Sequence, residues 1–118
     1  MNLILINDKK RIKHEVITDI EFDNEIYDNS GIKDPGIAGF VMYFIEDNCL
    51  RLNQIFVRPE ARGKGLGLAL LKDLDKLTKK HKKEKVVIIN GADENDPVYK
   101  LFIKSGLKRD GKLWEKKI

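Results

Sequence analysis

Cysteine is nearly absent from this chain: Cys49 is the only one, so no internal disulfide can form, and no Cys/His cluster has metal-ligand spacing. The expectation is a reducing, cytoplasmic setting and no bound metal. Proline is scarce, three in 118 residues, and no Pro-rich linker or low-complexity segment divides the chain. Long hydrophobic runs are missing. The apolar start, Leu3 to Ile6, is broken at once by Asn7-Asp8, which is too short for a signal peptide or a membrane span, so no membrane partner is expected. Internal repeats are missing too, and the length then suits one domain over residues 1–118. A large excess of one charge is also lacking. With 23 Lys+Arg against 19 Asp+Glu, the net +4 permits a phosphorylated ligand and gives little reason to expect nucleic acid.

What is present is a chain that should fold. Hydrophobic residues make up 42%, and the 36% that are charged lie between apolar runs. Leu3 to Ile6 predicts a strand. Over residues 14–22, Val16, Thr18, Ile20 and Phe22 alternate with Glu15, Asp19 and Glu21, which predicts a second strand, paired with the first through a turn near Asp8 to Lys10. Ile12, Val16 and Ile20 also fit helical spacing, so a short helix over residues 9–20 stays open. Residues 28–36 are rich in turn formers. Strands over 37–46 and 50–57 flank an Asp47-Asn48 hairpin turn. A helix follows from about Gly65 to Lys82, with Leu70, Leu71, Leu74 and Leu77 on one face. Its final lysines suit the negative pole of the helix dipole. Residues 86–90 are apolar enough for a strand covered on both faces. Asp93 to Asp96 with Pro97 marks a helix start, Gly106 its stop and Asp110-Gly111 a closing hairpin.

The run Arg62-Gly63-Lys64-Gly65-Leu66-Gly67 carries the chemistry. It lies after a strand, with Arg58 to Ala61 between, and opens the leucine-rich helix. Its glycines allow close backbone approach and left-handed dihedrals. A helix N-terminus offers unsatisfied N–H groups and a positive dipole end, both of which favour an anion. Arg62 and Lys64 add charge, and a merely flexible turn would need none of these features to coincide. The run is not a Walker loop, which needs Gly-x-x-x-x-Gly-Lys-Ser/Thr. Nor is it a dinucleotide fingerprint, whose third glycine would fall at Leu68.

The same run resembles the Gln/Arg-x-x-Gly-x-Gly/Ala signature of the GNAT acetyltransferase superfamily. The likeness extends over residues 37–116. Ile37-Ala38-Gly39-Phe40 is similar to the family's third-strand entry, Leu52 to Glu60 to its fourth strand and turn, and Asn95 to Leu107 to its Asn…Phe-Tyr…Lys…Gly-Phe helix. The resemblance implies an α+β (α/β) fold, with a mixed, mostly antiparallel twisted sheet, splayed central strands and two main helices. It implies acetyl-coenzyme A as cosubstrate. The pantetheine arm would lie between residues 52–57 and 86–90, alongside Phe56 and Asn90, and would pair with backbone groups of Ile55 and Val57 like an added strand. Amides of Arg62, Gly63, Lys64, Gly65, Leu66 and Gly67 would cradle the pyrophosphate. Asn95 would hydrogen-bond the pantetheine or cap its helix. Phe102 would form an apolar wall beside the sulfur, and Lys104 would contact the ligand from the same helix.

The chain departs from the family in three ways. Its first 36 residues are shorter than the usual strand, two helices and strand, so it resembles a small member with a shortened N-terminal part. A tyrosine that the family often sets near the thioester sulfur aligns with Phe102, which has no proton to give. Tyr99, one turn earlier, is the candidate replacement, or else a packing residue. On the fourth strand Arg51, Asn53 and Gln54 offer no base. An amine with a pKa of about 10.4 is neutral in roughly one molecule in a few thousand at pH 7. Glu21, Asp23, Glu25, Asp93 and Glu94 are candidates to take its proton through water. Stabilising a helix start is the plainer role for Asp93 and Glu94. His14, His81 and Cys49 have plainer structural or solvated roles.

The expectation is an N-acetyltransferase in which a primary amine attacks the acetyl carbonyl directly within a ternary complex. Positioning would supply much of the rate, and the Ile55 backbone N–H would stabilise the oxyanion. The missing acid and base keep open a coenzyme A-binding sensor or scaffold that transfers poorly. A homodimer is expected to cover a free sheet edge.

Overall fold

The computed structural model describes residues 2–16, 27–28, 31–32, 36–89 and 91–118. Glu21, Asp23, Glu25 and Asn90, and any strand beyond Val16, lie outside them. Strands β1 (Asn2–Ile6) and β2 (Ile12–Val16) form an antiparallel hairpin, so the extended alternative prevails over the helical one at residues 12–16. A local bond pattern fixes the turn. Asn7 Oδ1 accepts the N–H of Lys9 and of Arg11, each at 3.0 Å, and the Asn7 carbonyl accepts the N–H of Lys10 at 3.0 Å. Asparagine side chains make such turns readily, because they stand in for a backbone carbonyl.

The remaining elements follow in chain order: β3 (Tyr27–Asp28), β4 (Gly31–Ile32), β5 (Gly39–Ile45), β6 (Cys49–Val57), a 3-10 turn (Pro59–Ala61), α1 (Leu66–Lys80), β7 (Lys85–Ile88), α2 (Tyr99–Lys104), β8 (Lys108–Asp110) and β9 (Leu113–Lys117). Among the described residues, β3 and β4 pair only with each other. The main sheet runs β2-β1-β5-β6-β7-β9-β8, and every neighbour is antiparallel except β6 with β7. This is the mixed, mostly antiparallel α+β architecture with two helices that the resemblance implied. Its edges are β2 and β8.

Alternation along the strands sorts the core onto two faces. Ile4, Ile6, Val41, Tyr43, Leu50 and Leu52 join the cluster that the helices cover, while Leu3, Leu5, Phe40 and Met42 form a second cluster on the other face. α1 meets the first face with Leu66, Leu70, Leu71, Leu74 and Leu77. Each fully buried leucine contributes about 1.5–3 kcal/mol. Trp114, wholly buried, anchors the far end, with the rings of Tyr99 and Phe102 edge-on to it at 5.4 Å. Lys116 ties the helices to β9: its ammonium donates to Asp75 of α1 at 2.6 Å and to the Ser105 carbonyl after α2 at 2.8 Å.

One helix starts later than the sequence suggests. Asp93 does organise its surroundings, since its carboxylate accepts the Asn95 N–H at 2.9 Å and its carbonyl accepts the Asp96 N–H at 3.0 Å. That pattern closes a turn rather than a helix. Pro97 has no N–H to extend it, and the next bond, Tyr99 N–H to the Asp96 carbonyl, again spans three residues. The four-residue spacing of an α-helix first occurs at Phe102 N–H to the Val98 carbonyl.

Candidate functional site

β6 and β7 pair in parallel only through Cys49–Lys85, Leu50–Val86 and Arg51–Val87. β7 then ends at Ile88, while β6 continues to Val57. Among the described residues, the second half of β6 therefore has a ladder partner on one side only.

The direction of its backbone groups follows from the register with β5. The Arg58 N–H donates to the Ala38 carbonyl at 2.8 Å, so at this end of the ladder the even-numbered residues of β6 bond toward β5. Antiparallel ladders alternate. Phe56, opposite Phe40, then bonds toward β5, while Ile55 and Val57, opposite Val41 and Gly39, turn their N–H and C=O away from it, into the gap that β7 leaves. One group there is already engaged, because Arg62 Nε donates to the Val57 carbonyl at 3.0 Å.

A bulge sets this phase. The pairing slips by one residue between Met42–Gln54 and Tyr43–Leu52, which leaves Asn53 as the extra residue. Leu50 and Leu52 face the helices before the bulge, and Ile55 and Val57 pack against the same cluster after it.

Past Val57 the chain makes the 3-10 turn and enters the glycine loop. Gly63 has φ +82° and Gly65 φ +79°, the left-handed region where side chains are disfavoured. Gly65 is the N-cap of α1, and no side chain caps that end. The first-turn N–H groups thus lack the usual capping oxygen. No acidic residue stands in the first turn of α1, and a Cβ on Gly63 would meet no atom within 4 Å. These features fit a diphosphate: an open, left-handed loop aiming uncapped amides outward, with cationic side chains nearby.

A cleft of about 470 Å³ joins the two features. β6 supplies Ile55, Phe56 and Val57, the loop supplies Arg62, Gly63, Gly65, Leu66 and Gly67, and the opposite wall carries Lys104. The structure brings all these expected residues together. Lys64 is exposed on the loop and does not line the cleft. Arg62 lies back along β6, with its guanidinium 5.8 Å from the Phe56 ring centre as well as bonded to Val57.

Three expected residues sit elsewhere. Phe102 is 2% exposed and turned into the core against Trp114. Tyr99 is half-buried between Trp114 and Arg109, whose guanidinium lies 5.9 Å from its ring centre. Asn95 is exposed, in the turn that Asp93 organises. Asn90 is outside the described residues. The α2 side of the cleft is instead made by Asp96, Pro97, Val98 and Leu101, with Lys104. Helical spacing alone did not carry that signal, since position 102 lies one turn from Val98 and shares its side of the helix; packing against Trp114 draws Phe102 into the core. Gly67 allows this wall to come close: a Cβ there would stand 2.8 Å from Leu101 Cδ2.

Cys49 lies at the opposite end of β6, roughly 26 Å of strand from Val57 at about 3.3 Å per residue. Burial pushes its thiol pKa up, and Glu46 beside it pushes the same way, so the thiolate is disfavoured. Among the described residues, no group of three His, Cys, Asp or Glu side chains is placed to hold a metal, and no helix is long and apolar enough to cross a membrane.

Comparison with known proteins agrees with this geometry. A family model for the acetyltransferase (GNAT) family matches residues 8–107. No curated protein sequence matches the chain. Among solved structures, the chain is similar to PaiA N-acetyltransferase from Thermoplasma acidophilum in complex with coenzyme A, at 26% identity and TM-score 0.62, over 70% of this chain and 54% of that one. It is similar to Ard1 from Thermoplasma volcanium, at 15% identity and TM-score 0.63, over 70% and 64%. A third is an acetyltransferase of the GNAT family from Staphylococcus aureus Mu50, at 15% identity and TM-score 0.59, over 76% and 63%. The chain thus spans between half and two thirds of the length of these proteins.

Proposed function

Because the chain belongs to the GNAT acetyltransferase family, we propose that it binds acetyl-coenzyme A and passes the acetyl group to a primary amine by direct attack. One observation carries the reading: Ile55 and Val57 turn backbone groups into the gap between β6 and β7, beside an uncapped glycine loop. An extended amide-bearing arm can pair there as an added strand while its diphosphate meets the first turn of α1.

The proposed chemistry needs little from side chains. The amine nitrogen bonds to the acetyl carbon, the carbonyl oxygen gathers charge, and the Ile55 N–H donates to it. The C–S bond then breaks and the thiolate leaves with the electron pair. The proton lost by the amine passes through water to a carboxylate, and the thiolate takes one from solvent. Apolar walls at Ile55, Val57, Val98 and Leu101 hold the reactants together, and positioning supplies much of the rate.

A second reading is a coenzyme A-binding module that does not transfer. Phe102 and Tyr99 support it, since both rings are committed to Trp114 rather than to the cleft. Thiol release from acetyl-coenzyme A across a panel of primary amines separates the two. Turnover above the hydrolysis rate supports the enzyme. Tight coenzyme A binding with no thiol release from any amine would leave the module.

A further inference from the structure

The turn between β1 and β2 reaches the glycine loop. β1 ends at Ile6, which pairs with Gly39, and Gly39 pairs with Val57 on its other side. The turn after β1 therefore lies at the same end of the sheet as the loop after β6. There the ammonium of Lys10 stands 3.6 Å from the point that a Cβ would occupy on Gly65.

Lys10 is held in an unfavourable conformation to get there. Its φ is +60°, left-handed for a residue that is neither glycine nor asparagine. Residues with a Cβ rarely adopt that conformation, because the Cβ then crowds the following carbonyl. The three bonds to Asn7 impose it. A second cost is electrostatic. The N-terminus of α1 carries about half a positive charge, and Lys64 lies on the same loop. A further ammonium placed over Gly65 is repelled until an anion comes between them. Among the described residues, no carboxylate pairs with Lys10.

We propose that Lys10 is a further phosphate-binding residue, with its ammonium contacting the diphosphate of coenzyme A over Gly65. The inference rests on the coenzyme A reading above. It makes the N-terminal hairpin part of the cosubstrate site, although Lys10 lies 55 residues before Gly65 in sequence.

The test is calorimetry on the whole chain with coenzyme A and with dephospho-coenzyme A, which keeps the diphosphate and lacks the 3′-phosphate. Lys10→Asn and Lys10→Gly both tolerate the left-handed turn and remove the charge. Each should weaken both ligands about tenfold at low salt, and the loss should shrink as salt rises. Lys10→Arg should recover most of the affinity, and Lys9→Asn should change it less than about twofold. Unchanged binding by both neutral Lys10 variants overturns the proposal. So does a loss seen with coenzyme A but not dephospho-coenzyme A, which would assign Lys10 to the 3′-phosphate, or an equal loss from Lys9→Asn. If the wild-type chain binds neither ligand, the coenzyme A reading itself fails; if it binds and Lys10 is neutral to binding, only the role of Lys10 fails.

Discussion

Gly39 faces the carbonyl oxygen of Phe56 so closely that a Cβ on Gly39 would stand 2.6 Å from it. Neither atom belongs to a side chain that can swing aside, so the strands themselves would have to part. Gly39→Ala should cost about 1–3 kcal/mol of stability, the usual range for overpacking. Gly63→Ala is the contrast. Its Cβ would meet nothing within 4 Å, so only its φ of +82° resists, worth about 1–2 kcal/mol. Urea midpoints would test this, and a Gly39→Ala protein as stable as wild type would refute the close approach.

Gly65→Val should abolish coenzyme A binding while leaving α1 and the sheet intact. A β-branched residue is strained at φ +79°, and its Cβ would stand where Lys10 and the proposed diphosphate meet. Affinity should fall at least about tenfold by calorimetry, with the far-ultraviolet circular dichroism unchanged. Undiminished affinity would remove the glycine loop from the site.

Arg62 and Lys64 should respond differently to salt. Arg62 bonds the Val57 carbonyl and lies against Phe56, so Arg62→Ala loosens the loop from β6. Its effect on coenzyme A affinity should persist at high salt, and Arg62→Lys should not restore it, because lysine lacks the planar fork. Lys64 is exposed, so the loss in Lys64→Ala should fade as salt screens it. Affinities measured at two ionic strengths decide; matching salt slopes for the two residues would contradict the distinction.

Phe102→Tyr tests the acid question from the packing side. Phe102 is 2% exposed against Trp114, so a hydroxyl there is buried. Without a partner it should lower stability by about 1–3 kcal/mol, with little change in coenzyme A affinity. Tyr99→Phe keeps the ring on Trp114 and removes only the hydroxyl. If the chain transfers acetyl groups, thiol release should be nearly unchanged in Tyr99→Phe. A loss of a hundredfold or more, within the range of about 10²–10⁴ for general acids, would instead make Tyr99 the proton donor.

Local chemistry made much of the fold legible. The Arg62 to Gly67 run, the leucine stripe of α1, the Asp47-Asn48 hairpin and the turn near Asp8 to Lys10 depend on neighbours a few residues apart, and the structure has them where their spacing put them. The late start of α2 was misread because Asp93 and Pro97 suit a turn as well as a helix, and three-residue bonds prevailed. The placement of Phe102 in the core was hidden behind a family alignment, and helical phase did not reveal it, because position 102 lies one turn from the cleft-lining Val98 and only the distant Trp114 decides where the ring goes. The Arg62 bond to Val57 and the approach of Lys10 to Gly65 depend on how distant segments stack, and no local pattern encodes them.

The extra residue at Asn53 makes β6 a strand with two grammars. Up to Leu52, even-numbered positions put side chains under the helices; from Ile55 onward the odd-numbered ones do. Deleting Asn53 would bring Gln54 next to Leu52 and restore a single rhythm in which Ile55 and Val57 keep their helix-facing places and their partners on β5. The bulge is therefore slack in the strand. One residue can be lost there without moving the amides that look into the gap, whereas losing Gln54 as well would put Ile55 directly after Leu52 and turn the later half over.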